Sequence, residues 1–167
     1  MPALAHIGIG LAAKRFFPKI PLWSLLISVM AIDILAGIFI FATWISHGLF
    51  MSIIWSFVTM ALTALIKMRI SSKNEQDKIN KSTMWNMETL YIPMMIGLLV
   101  FSHWILDFIG WPMKAVYSSA MGVPIFFDDT VNIGLGVYST LFGALLMDIG
   151  VFVLGLAIYI HYKIKIS

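Results

Sequence analysis

Apolar residues run almost unbroken over 22–42, 47–68, 90–111 and 135–160. A helix rises 1.5 Å per residue, so roughly 20 residues cross the hydrocarbon layer of a bilayer, and each run is long enough. The pattern predicts four long transmembrane helices. A shorter apolar segment, 3–17, precedes them and reaches its first basic residues at Lys14 and Arg15. It predicts a further short helix, either half-inserted or a fifth span. Between the second and third runs, 69-RISSKNEQDKINKSTMWNME-88 is the one markedly polar stretch and reads as an aqueous loop. A second loop, 112–134, is punctuated by Pro and Gly and carries an aromatic and acidic tip at Phe126, Phe127, Asp128 and Asp129. That tip reads as a lid or substrate rim, or as a plain interfacial loop. The expected fold is an all-α polytopic membrane bundle, a single transmembrane domain over residues 1–167.

Composition agrees with the pattern. Hydrophobic residues make up 60% of the 167, charged residues 11%, and the mean hydropathy is +0.95, which excludes a water-soluble domain and a nucleic-acid binder. Basic residues fall before the first run (Lys14, Arg15, Lys19), in the polar loop (Lys67, Arg69, Lys73, Lys78, Lys81) and after the last run (Lys163, Lys165). All three positions share one side of a four-span arrangement. By the positive-inside rule the polar loop and the C-terminus are expected to be cytoplasmic. With no cysteine, thiolate metal sites and thiol nucleophiles are excluded. The basic residues of the first segment follow its apolar part, the reverse of a secretory signal, so that segment is expected to stay in the protein.

The chemistry begins with a mismatch of charge. No Lys or Arg occurs from Ile20 to Ile66, from Ser82 to Met113 or from Ala115 to Tyr162, yet Asp33, Asp107 and Asp148 lie within these windows. Three such carboxylates without compensation cost on the order of 8–10 kcal/mol on insertion scales. The available compensators are protonation, a water-filled cavity, histidinium or a metal ion. Three of the four histidines, His6, His47 and His103, lie in or at the ends of apolar segments, while His161 lies in the interfacial stretch before Lys163. In 101-FSHWILDFIGW-111, His103 and Asp107 are four residues apart and share one helical face, so both can ligate one ion or simply pair with each other. Asp33 and His47 come from neighbouring antiparallel segments. Histidine and carboxylate ligands drawn from several helices, without cysteine, suit zinc, manganese or iron. Asp148 either adds a carboxylate to this group or is protonated and bonded to a backbone carbonyl. Asp33 lies about 16 Å and His103 about 20 Å above the cytoplasmic ends of their runs, which places such a site in the outer half of the bilayer.

The order of these residues resembles that of the bacterial inner-membrane proteins described as predicted membrane-bound metal-dependent hydrolases. The likeness rests on Ala-His near the start, Ile-Asp in the first long run, Ser-His-Gly-Leu-Phe-Met-Ser at 46–52 and Phe-Ser-His-Trp-Ile-Leu-Asp-Phe at 101–108. It extends through the Pro-x-Phe-Phe and Gly-Leu-Gly elements of the second loop to about Asp148. That family is distantly similar to zinc-dependent phospholipase C and the helical single-strand nucleases. The resemblance implies that His47, His103 and Asp107 bind one metal, that His6 helps bind a second, that Asp107 bridges the two, and that Asp33 is the catalytic base. Members carry Asp-x-Asp-His where this chain has 32-IDIL-35, and His-Arg-Gly-x-Thr-His where it has 43-TWISHG-48. The third zinc of the soluble enzymes has too few histidines left to bind it.

The resulting expectation is a membrane-embedded hydrolase using a divalent metal, zinc first and manganese or iron as alternatives, on a lipid-linked or periplasmic phosphoester in the bacterial inner membrane. Two other readings remain: a small transporter with Asp33, Asp107 and Asp148 along a proton or cation path, and a non-catalytic subunit of a membrane complex. Membrane lipids are expected partners under every reading. A homo-oligomer or complex partner would supply further helices under the last two.

Overall fold

The computed structural model describes residues 3–38, 43–74, 87–114, 121–128 and 130–166. Seven helices account for most of them: α1 Ala3–Phe16, α2 Leu22–Val29, α3 Ala31–Ile38, α4 Thr43–His47, α5 Leu49–Asn74, α6 Met87–Gly110 and α7 Leu141–Ile166. Leu49–Ile70 of α5, Leu90–Gly110 of α6 and the whole of α7 are long and apolar enough to cross a membrane. The all-α expectation holds, but the expected four long spans do not.

The first of those runs, 22–42, is broken at Met30 into two eight-residue helices, α2 and α3. Its cause is a side chain entering the helical ladder: the carbonyl of Val29 accepts a hydrogen bond from His103 Nδ1 at 2.6 Å. Ser28, whose hydroxyl donates back to Ser24 O at 2.6 Å, bends the same turn. The fourth run also starts later than its apolar pattern suggests. Gly136 takes a left-handed conformation (φ 71°), Val137–Ser139 forms a 3-10 turn, and Thr140 then opens α7 by accepting the amide of Gly143 on its hydroxyl at 3.1 Å. α5 continues to Asn74, into the stretch expected to be loop; the rest of that loop, 75–86, lies outside the described residues.

α6 is the centre of the molecule. Half of its most apolar stretch is buried, against 6% for the corresponding stretches of α5 and α7, which the rest of the protein therefore leaves largely uncovered. Phe57, Leu62 and Leu65 of α5 and Phe142, Leu146 and Leu154 of α7 are all more than half exposed, as a bilayer rather than water requires. Three hydroxyls of α5 are satisfied within the helix: Ser56, Thr59 and Thr63 each donate to the carbonyl four residues back, at 2.7–2.9 Å. Two apolar clusters support α6. One joins Ala13, Ile20, Leu25, Val29, Ile96 and Leu99; the other joins Ile32, Val100, Trp104 and Val123.

α1 ends at Phe16, two residues before Pro18, and Lys14 Nζ ties down the carbonyls of Pro18 and Ile20 at 2.8 and 2.7 Å. It runs alongside α7 in the same direction, and the two backbones touch at glycines. A Cβ on Gly155 would stand 2.0 Å from the Gly8 carbonyl oxygen, and one on Gly8 would stand 2.5 Å from that of Val151. The second loop folds back as a two-residue antiparallel ladder, β1 Val123–Pro124 with β2 Asn132–Ile133, pairing Val123 with Ile133. Ile125 O accepts the amide of Phe50 at 3.3 Å, and the rings of Phe126 and Phe127 lie on Phe50, so the loop is docked on the start of α5. Its Asp128 is held below the ordinary carboxylate range by hydrogen bonds from the Thr130 hydroxyl (2.6 Å) and amide (3.1 Å). Asp129 and residues 115–120 lie outside the described residues.

The glycine contact is directly testable. Gly155→Leu is expected to lower stability by about 1–3 kcal/mol through overpacking, read by thermal unfolding in detergent. Gly150→Leu, on the same helix with open space around it, is expected to leave the midpoint unchanged.

Candidate metal centre

Five predicted residues from four helices meet against the buried face of α6. His103 and Asp107 stand one turn apart on α6. α3 brings Asp33, α4 ends on His47, and α1 brings His6 in its first turns. His6, His47, His103 and Asp107 are at most 4% exposed, whereas Asp33 keeps 17% of its side-chain surface. Asp33 therefore stands at the mouth of the group.

Four nitrogen-to-oxygen separations define the centre. His47 Nε2 lies 3.5 Å from both Asp33 Oδ1 and Asp107 Oδ2; His103 Nε2 lies 3.5 Å from Asp33 Oδ1 and 3.4 Å from Asp107 Oδ2. All four of these atoms are buried without a hydrogen-bond partner among the described residues. Hydrogen bonds between nitrogen and oxygen run to about 3.2 Å. Ligand bonds of about 2.1 Å around a tetrahedral ion put neighbouring ligand atoms about 3.4 Å apart. The spacing thus suits an ion between these atoms better than hydrogen bonds joining them. Two triads, His6/Asp33/His103 and His47/His103/Asp107, each have ligand atoms within 4.8 Å of one another, so this cluster can hold a metal ion.

The ring orientations are set from outside the cluster. Nδ1 of His103 is engaged by the Val29 carbonyl, which can only accept, so Nδ1 carries a proton and, in the neutral ring, Nε2 turns its lone pair inward. Ser46 Oγ lies 2.8 Å from Nδ1 of His47 and, as donor or acceptor, holds that ring with Nε2 directed inward. α4 is in turn held by Trp55, whose indole donates to Ile45 O at 2.7 Å. His6 stacks on His103 with ring centroids 3.8 Å apart, and its Nε2 lies 3.8 Å from Asp107 Oδ1. Asp107 consequently directs one oxygen toward His6 and the other toward His47 and His103.

Asp148, the further candidate from the sequence, is placed elsewhere: its Oδ1 accepts the amide of Ala5 at 2.8 Å. His161 lies in the last turns of α7 and is exposed. Three participants were not legible beforehand. Ser46 and the Val29 carbonyl orient histidines, and Tyr138 is buried on Gly110, one turn beyond Asp107, where a Cβ would strike its ring. Burial first, then Asp148 and Asp107, push the Tyr138 phenol above its ordinary range. Only the Ser46-His47 adjacency left any trace in the sequence. Neither family models, nor curated proteins, nor solved structures match this chain.

Removing an orienting partner of a ligand histidine commonly costs 10–100-fold in metal affinity. Ser46→Ala is expected to weaken zinc binding by roughly 10-fold in a competitive chelator titration, with the thermal midpoint unchanged.

Proposed function

We propose that this protein is a membrane-embedded metal-dependent hydrolase acting on a phosphoester, with zinc as the first candidate metal. The observation that carries the reading is the convergence of His47 Nε2 and His103 Nε2 on Asp107 Oδ2 at 3.4–3.5 Å, with Asp33 Oδ1 placed 3.5 Å from both nitrogens on the more exposed side. Nitrogen and oxygen ligands without sulfur, spaced for short bonds, suit zinc, with manganese or iron as alternatives. A divalent ion bound there supplies Lewis acidity, polarising a phosphoester and bringing the ionisation of water toward neutral pH.

The protein's own residues take distinct parts. His47, His103 and Asp107 would hold the ion, the two imidazoles through Nε2 atoms whose rings are oriented by Ser46 and the Val29 carbonyl. Asp107 extends its second oxygen toward His6, and these two residues would help hold a second ion. Asp33, the one partly exposed member, is the group an incoming water meets and is assigned as the general base. The resemblance to membrane-bound metal-dependent hydrolases supports the same division of roles. A centre in the outer half of an inner membrane, beside lipid headgroups, favours a lipid-linked or periplasmic phosphoester.

Elemental analysis of detergent-purified protein after mild chelator washing tests the centre. Near-stoichiometric metal is expected in the wild type, and its disappearance is expected in His103→Ala and Asp107→Ala. Asp33→Asn is expected to keep its metal while hydrolysis of a phosphoester falls at least 100-fold. Equal metal loss in all three variants would make Asp33 a ligand and end its assignment as the base.

A further inference from the structure

We propose that Asp148 is a positioning residue, which caps the first turn of α1 and so sets His6 against His103 and Asp107. The proposal rests on reading that cluster as a metal centre.

Asp148 is the eighth residue of α7, within an otherwise apolar stretch. Its Oδ1 accepts the amide of Ala5 at 2.8 Å. Ala5 is the third residue of α1, and the first four amides of a helix have no carbonyl partner inside it. They also form the positive end of the helix dipole, where a carboxylate is stabilised. One partly buried acceptor therefore meets one donor that needs it. The cap comes from another helix, 143 residues away in the chain, so it fixes where α1 starts relative to α7.

The residue next to the capped amide is His6. Ala5 and His6 are 0% and 1% exposed, which leaves the pair little freedom to move independently. One turn further on, Gly8 meets the backbone of α7 at Val151 and Gly155. α7 thus grips α1 twice. The glycine contact sets how closely the helices approach, and the Asp148 cap sets the axial position and the end from which His6 projects. Neither ligand triad includes a residue of α7, so this helix reaches the centre through α1.

The test is zinc affinity of the purified full chain across a double-mutant cycle. Asp148→Ala is expected to weaken zinc binding 10–100-fold, as loss of an outer partner does, and Asp148→Asn, which keeps an acceptor oxygen, to recover most of it. The double variant His6→Ala/Asp148→Ala is expected to bind no more weakly than His6→Ala alone, because Asp148 acts through His6. Additive losses, or wild-type affinity in Asp148→Ala, overturn the proposal. Should the wild type bind no zinc, the metal reading fails, and protection of His6 from diethyl pyrocarbonate decides the positioning role by itself. His6 reactive in Asp148→Ala but protected in the wild type and Asp148→Asn supports the cap; equal protection in all three overturns it.

Discussion

The hydrogen bond between His103 Nδ1 and the Val29 carbonyl, 2.6 Å long, is the constraint from which the rest of the centre follows. A carbonyl accepts and never donates, so in the neutral ring this bond decides which nitrogen is protonated. Nε2 is left to face Asp33 Oδ1 and Asp107 Oδ2 with a lone pair. The same bond takes a carbonyl out of ordinary helical service and coincides with the break at Met30. Beyond that break, Asp33 falls in the first turn of α3 rather than in the middle of a long helix. One interaction therefore prepares a ligand nitrogen and presents the carboxylate beside it.

Electron-rich atoms gathered in this way are costly to bury unless a cation lies among them. Lysine and arginine are absent from the apolar windows, and the imidazole nitrogens stand outside hydrogen-bonding distance of the carboxylates. The packing sharpens the requirement, because few residues of α5 and α7 are buried, which leaves α6 as the long helix with a substantial inner face among the described residues. His103 and Asp107 occupy that inner face. Every other member of the cluster reaches them from a short helix, α1, α3 or α4. Short helices can be aimed one at a time, which a bundle of parallel long spans does not allow.

Much of this was legible in the sequence. The i, i+4 spacing of His103 and Asp107 put both on one face of any helix through 101–108, and three long apolar runs survive as α5, α6 and α7. Gathering Asp33, His47 and His6 around that pair followed from the lack of any other partner for the carboxylates. What could not be read were features created by tertiary contact. The run 22–42 is uniformly apolar, and its break depends on a histidine some 70 residues later in the chain. The late start of α7 depends on the conformation of Gly136 and on the Thr140 cap, neither of which changes the hydropathy of 135–160.

The three aspartates of the apolar runs show how segments without lysine or arginine accommodate negative charge. Asp33 and Asp107 share the nitrogens of His47 and His103. Asp148 takes a different compensator, the amide-rich start of α1, whose partial positive charge requires no cationic side chain. The two solutions meet at His6, which follows the capped amide and stacks on His103. A helix terminus that neutralises one carboxylate thereby carries a candidate ligand to the others. That coupling explains how α1, only 14 residues long, holds a defined position: its start is capped by α7, its middle rests on Gly155, and its end is tied by Lys14 to the turn that begins α2.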